Sequence, residues 1–134
     1  MKHLLPDGWP RPKGYSNGIS VNNGRTIYVA GMVGWNVREE FESDDLTDQF
    51  RLCLENTLAV LKADNAGPEH IVRMTWYITN KQEYLSNLKE IGTIYREIMG
   101  KNYPVMACVE VSALMEDQAK IEIETTAVIE GKKA

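Results

Sequence analysis

The sequence predicts an α+β fold, one sheet with two helices packed on one of its faces in the order ββαβαββ. Strand-like composition recurs at "TIYVAGMV" and at "HIVRMTWYIT", and two stretches between Val105 and Ile129 alternate as strands do. Two longer segments, Ser43 to Ala66 and Asn80 to Gly100, repeat apolar residues at helical spacing. With 134 residues the chain can bury about two thirds of its unfolded surface in one core and is too short for a second, so residues 1–134 read as a single domain.

The chain begins with an extended arm, because "PDGWPRPKG" is too rich in proline and glycine for a regular element. Gly18 to Val21 and Arg25 to Val33 follow as strands around "NNG", which reads as a hairpin turn because Asn and Gly tolerate positive φ. In the second strand Ile27, Val29 and Val33 share one face while Tyr28, Ala30 and Met32 share the other, which predicts cover on both sides. The first helix takes Ser43 as its N-cap and buries Leu46, Phe50, Cys53, Leu54, Thr57, Leu58 and Leu61, until Gly67 and Pro68 stop it. The second is capped by Asn80 with Glu83 three residues on, and turns Tyr84, Leu88, Ile91, Tyr95 and Ile98 inward before Gly100.

The last two strands, Val105 to Val111 and Ala119 to Ile129, are expected to form a hairpin centred on Met115. That pairing sets Glu110 opposite Lys120, Cys108 opposite Glu122 and Met106 opposite Glu124, with the first pair joining opposite charges. Val105, Ala107, Val109, Val111, Ile121 and Ile123 then pack on the helices, and Cys108 and Glu122 share the other face. Glu122 and Glu124, roughly 7 Å apart along a strand, read either as a solvated strand face with Cys108 a small buried hydrophobe, or as candidates for proton transfer once a neighbouring subunit desolvates them. Two helices cover only one face of such a sheet, so a second copy of the chain is expected on the other, in a closed homo-oligomer.

Composition narrows the function. Apolar residues make up 43% and charged residues 25%, and no apolar run reaches the roughly 18 residues of a spanning helix. The start, "MKHLLPDGWPRP", lacks the apolar centre of a signal peptide, and the expected location is cytoplasmic, away from membranes. A net charge of -4 and a pI near 5.2, with no basic run, disfavour nucleic acid as a partner. His3 and His70 stand far from any metal-ligand spacing, and Cys53 and Cys108 form no disulfide framework; neither a metal nor another cofactor is expected.

Four segments carry a family resemblance across nearly the whole chain: "GYSNGISV", "TIYVAGMVG", "ENTLAVLKADNAGPEHIVRMTWYIT" and "YPVMACVEV" with "IEIETTAV". Together they are similar to the Rid family, the reactive-intermediate deaminases also called YjgF-type or L-PSP-type proteins. The resemblance implies a chorismate-mutase-like homotrimer with three clefts at its subunit interfaces, and cofactor-free hydrolysis of small-molecule enamines and imines to a keto acid and ammonia. It also implies roles: Glu122 positions or activates water, Tyr15 lines the cleft, Gly31 is the glycine of the second strand, Cys108 is the strand cysteine, and Glu124 is structural.

One departure changes the expected substrate. Deaminating members resemble Pro-Ala-Arg-Ser-Cys where this chain has "PVMAC", so Met106 occupies the arginine position. A thioether cannot replace a guanidinium fork that holds a carboxylate through two charge-assisted bonds, and a loss of roughly 3 kcal/mol is about a hundredfold in binding. Small 2-imino acids such as 2-iminopropanoate are therefore disfavoured. Met106 and Val105, with Met32 in place of a common glutamine and Trp35 just after the second strand, are expected to wall an apolar, adaptable pocket for a bulkier enamine or imine. Arg11, Arg38 and Arg73 are the candidate replacement cations.

The alternative is a non-catalytic trimer that binds an apolar small molecule in a regulatory or sequestering role. Ribonuclease activity, attached to the family's older name, is disfavoured by the acidic charge. A reactive Cys108 is disfavoured too, because no nearby cation lowers its pKa.

Overall fold

The computed structural model describes residues 1–131. Its centre is a strand with strict alternation: β6, Ile121–Glu130, buries Ile121, Ile123, Thr125 and Ala127 and turns Glu122, Glu124 and Thr126 the other way. β3, Gly24–Val33, pairs antiparallel with one side of β6, and β4, Ile71–Ile78, pairs antiparallel with the other. β5, Val105–Glu110, lies parallel to β4 at the sheet's edge, giving the order β3-β6-β4-β5. The arm adds a short antiparallel ribbon of β1, Lys2–Leu4, and β2, Gly18–Ser20.

The helices lie on one face, as the apolar stripes require. α1, Leu46–Lys62, buries Leu46, Phe50, Cys53, Leu54, Thr57 and Leu61. Its N-cap is Asp45 rather than Ser43: the Asp45 carboxylate accepts from the Thr47 backbone at 2.8 Å, while the Ser43 hydroxyl braces the cap from outside. The helix ends before Gly67, at Lys62, because Asn65 takes a left-handed φ of 56° and the Ala66 amide turns back onto the Leu61 carbonyl. The second helical segment divides into α2, Lys81–Ser86, and α3, Leu88–Met99, with Asn87 at the break. Phe50, Trp76 and Tyr95 join the helices to β4, with ring centroids 4.9 and 6.1 Å apart in turn.

Three expectations about pairing are corrected. β2 pairs with β1 and not with β3, so "NNG" links two sheets. The β5–β6 hairpin does not form, because β4 stands between the two strands. A strand, a helical crossover and a second strand make parallel neighbours, and here β4, α2 with α3, and β5 are that unit. The charges that argued for the hairpin are used elsewhere: Lys120 pairs with Glu83 at 2.9 Å, and the Glu110 carboxylate accepts from the Lys81 backbone at 2.7 Å.

The parity of β5 is inverted as a result. Met106 registers with Met74 and Cys108 with Trp76, both core residues of β4, so Met106 and Cys108 face the helices. Val105, Ala107 and Val109 stand on the open face with Arg73, Thr75 and Tyr77. A bulge between Val29 and Met32 causes a second reversal. It leaves Tyr28 exposed on the open face but pairs Met32 with Ile123 and packs it against the core.

Candidate active site

The predicted site residues divide between two places on opposite faces of the sheet. The first is the open face around Glu122. This half-buried residue sits in the central strand, with Val33 of β3 and Tyr77 of β4 as register partners. The neighbouring bulge brings Gly31 beneath the carboxylate. A Cβ on Gly31 would lie 2.1 Å from Glu122 Oε2, so only glycine leaves this space. Two residues along, Glu124 accepts a hydrogen bond from the Tyr77 hydroxyl at 2.7 Å. That bond pushes the Tyr77 phenol up from its ordinary pKa.

The second place is a cavity of about 410 Å³ on the helix side of β5. It exists because α1 lies over β3 and β6 and packs against α3, which leaves β5 uncovered below α2 and α3. Met106 and Cys108 form its floor, Tyr15 and Lys13 enter from the arm, and Tyr84, Leu88, Tyr95 and Arg96 descend from the helices. Tyr15 is placed by Ser16, whose backbone amide donates to the Pro104 carbonyl at 3.0 Å and whose hydroxyl donates to the Tyr103 carbonyl. Tyr103 stacks on Tyr95 with centroids 5.8 Å apart, closing the wall. The volume falls within the roughly 300–1,000 Å³ that small ligands occupy.

Cys108 lies in this cavity and not beside Glu122. Partial burial pushes its thiol up from the ordinary value, and a hydrogen bond from Tyr84 pulls the other way. The Tyr84 phenol is itself raised, first by burial and then by the sulfur. The opposing carboxylate that the hairpin would have supplied is on the other face. Cys53 is buried in the core, with its thiol raised by desolvation.

The remaining predicted residues fall elsewhere. Val105 lines a groove on the open face with Arg73 and Thr75. Trp35 packs on Phe41 at 5.7 Å and is tied to α1 by Asn56, whose side chain donates to the Trp35 carbonyl at 3.0 Å. Neither it nor Met32 reaches the cavity. Among the candidate cations, Arg38 pairs with Glu40 at 3.6 Å in its loop, Arg11 lies along the arm, and Arg73 is on the open face. Lys13 and Arg96, which line the cavity, are the cations there that sequence reasoning did not single out; Arg96 follows Tyr95 on α3, and only the uncovered strand reveals what it faces. Among the described residues, no cluster of His, Cys, Asp and Glu is arranged to hold a metal, and no helix is long and apolar enough to cross a membrane.

Residues 10–129 match the family described as Endoribonuclease L-PSP. A 2-iminobutanoate/2-iminopropanoate deaminase of Dermatophagoides farinae is 30% identical over 123 residues, covering 90% of this chain and 91% of the relative. Among solved structures, the Rid-family protein YyfB of Yersinia pestis superposes with a TM-score of 0.81 at 29% identity, covering 96% of this chain and 98% of that one. Escherichia coli TdcF with bound serine superposes at 0.68 and 29% identity, covering 96% and 99%.

Proposed function

The chain belongs to the Endoribonuclease L-PSP family, which includes the Rid proteins, and on that premise we propose that it is a cofactor-free hydrolytic deaminase of enamines or imines. The observation that carries the reading is the Glu122 carboxylate on the open face, seated over a glycine where no side chain can compete for the space. A carboxylate so placed orients water toward the C=N carbon and takes its proton. Glu122 returns that proton to nitrogen to give the carbinolamine, then takes the proton of the carbinolamine hydroxyl and delivers it to nitrogen as the C–N bond breaks, so that imine and water yield a carbonyl compound and ammonia.

The division of site residues supports assembly as a homotrimer. Glu122 and Gly31 lie on the open face at the central strand, while Cys108 lies on the helix side of an edge strand and Tyr15 and Met106 sit at that edge, lining both the cavity and the open-face groove beside Arg73, an arrangement that suits a substrate held between two copies. An adjacent copy whose open face meets the β5 edge brings Glu122 of the partner subunit to this chain's cavity. It also covers Tyr28 and Val109, which are 80% and 42% exposed on the open face.

Met106 sets the substrate preference. With a thioether at the cavity floor and Tyr84 and Leu88 above it, the preferred substrate is bulkier than 2-iminopropanoate and less dependent on a carboxylate clamp. The same wall favours the second reading, a non-catalytic trimer that holds an apolar metabolite. Ammonia release from enzymically generated imines, small aliphatic to bulky aromatic, decides between them when wild type is compared with Glu122→Gln. Glu122-dependent release on bulky imines supports the deaminase, and release no faster than background on every imine supports the binder. Analytical ultracentrifugation tests the trimer.

A further inference from the structure

We infer that Arg96 is the carboxylate anchor of the cavity beside β5, and that the cavity therefore takes an acid with a bulky, preferably aromatic, body. This deepens the deaminase reading, replacing the lost clamp at the cavity floor with a weaker, exposed one at its rim, and rests on that reading only for the reacting group.

The inference starts from a glycine inside a helix. Gly92 interrupts α3, where glycine costs roughly 0.5–1 kcal/mol relative to alanine. Its φ is not left-handed, and among the described residues the only atom that a Cβ there would meet within 4 Å belongs to the end of the Arg96 side chain. Helical side chains lean toward the N-terminus, and Arg96, one turn on, lies back over Gly92: a Cβ there would be 3.4 Å from Arg96 Nη1. Gly92 and Arg96 both line the cavity, so the bare turn forms a shelf on which the guanidinium rests at the cavity rim.

Arg96 also has its charge available. Arg25, Arg38 and Arg51 are paired with Asp64, Glu40 and Glu97, whereas Arg96 enters no ion pair among the described residues. Lys13, from the arm, is the other cation of the rim. Arginine is the better anchor because its planar fork matches a carboxylate with two parallel bonds, whereas lysine offers a point charge.

Rim cations and an apolar floor dictate the ligand. A carboxylate gripped at Arg96 extends its body past Leu88 and Tyr84 toward Met106 and Cys108. A two- or three-carbon acid held there leaves the floor empty, while an arylalkyl acid fills it. Because Arg96 is exposed, its hold is weaker than a buried fork's and is screened by salt.

The test is calorimetric binding of unreactive probes to the intact protein: 3-phenylpropanoate, its neutral amide, and propanoate. The expected result is that 3-phenylpropanoate binds about tenfold more tightly than the amide and propanoate binds least. Arg96→Gln should reduce the aromatic acid to the level of the amide, leave the amide unchanged and leave the melting temperature near wild type. Equal binding of acid and amide, an Arg96→Gln variant that keeps full affinity for the acid, or a loss that follows Lys13→Gln instead would each overturn the assignment. Binding and turnover are separable here. Arg96-dependent binding without ammonia release leaves the anchor standing and removes the deaminase, whereas ammonia release with a KM indifferent to Arg96→Gln does the reverse.

Discussion

The two faces of this sheet present opposite kinds of chemistry. Around Glu122 the open face is polar and closely fitted, a carboxylate over a bare glycine beside a Tyr77–Glu124 hydrogen bond. Beside β5 the helix side is roomy and aromatic, with a thioether and a raised thiol on its floor. A carboxylate and a cavity are thus divided across one strand layer. Alternating strand residues necessarily diverge to opposite faces. On the proposed function, a chain with its proton-transfer group on the central strand and its ligand wall on an edge strand takes a neighbour to unite them.

The comparison breaks most decisively at Glu122. Glu122→Gln should lower turnover on responsive imines by about 10²- to 10⁴-fold, the worth of one positioned acid–base group. Affinity of the cavity for 3-phenylpropanoate should stay at wild-type level, and a parallel fall in binding would show that the two places are not separate in function.

Gly31→Ala probes the same face without removing the carboxylate. The added carbon overlaps Glu122 Oε2, and the flexible glutamate can swing away, so the fold should survive with its melting temperature little changed. Misplacing the group by about an ångström should cost roughly a hundredfold in kcat. Normal kinetics in this variant would separate Gly31 from the chemistry.

Met106→Arg tests the other face in the direction of gain. A guanidinium on the cavity floor should raise kcat/KM for 2-iminopropanoate by about tenfold or more and lower it for bulky imines, measured as ammonia release on both. The smallest effect is expected at Cys108. Burial raises its thiol, so less of it is thiolate at neutral pH than in an ordinary cysteine. Iodoacetamide should therefore label it slowly at pH 7 and faster as pH rises. Tyr84→Phe removes the opposing hydrogen bond and should slow labelling a few-fold at fixed pH. Mass spectrometry of the labelled peptide checks this, with Cys53 silent in the core.

Several features were legible because they depend on neighbours in sequence. The stripe of α1, the Asn80 cap, the alternation of β4 and β6, and the Glu122 and Glu124 pair on one face all follow from spacing alone. Cys108 was placed on the wrong face for the opposite reason. Its direction depends on which strand β5 joins, and a hairpin with β6 and a parallel pairing with β4 predict opposite parities from the same residues. Met32 was misplaced by a bulge that shifts alternation after Val29, a local event with no clear sign in "VAGMV" beyond its glycine.

By itself, then, the sequence determined the element types, the α+β class, the family and the position of the carboxylate on the last strand, all set by short-range periodicity or by motifs read along the chain. Tertiary structure alone decided the strand order, the face that each residue of β5 presents, and the cavity left where the helices stop short of the edge. It also brought Arg96, over the bare turn at Gly92, to that cavity's rim with Lys13. The physical reason is that strand neighbours are chosen by long-range packing and by the handed crossover between them, and a shift of one residue in register exchanges the two faces.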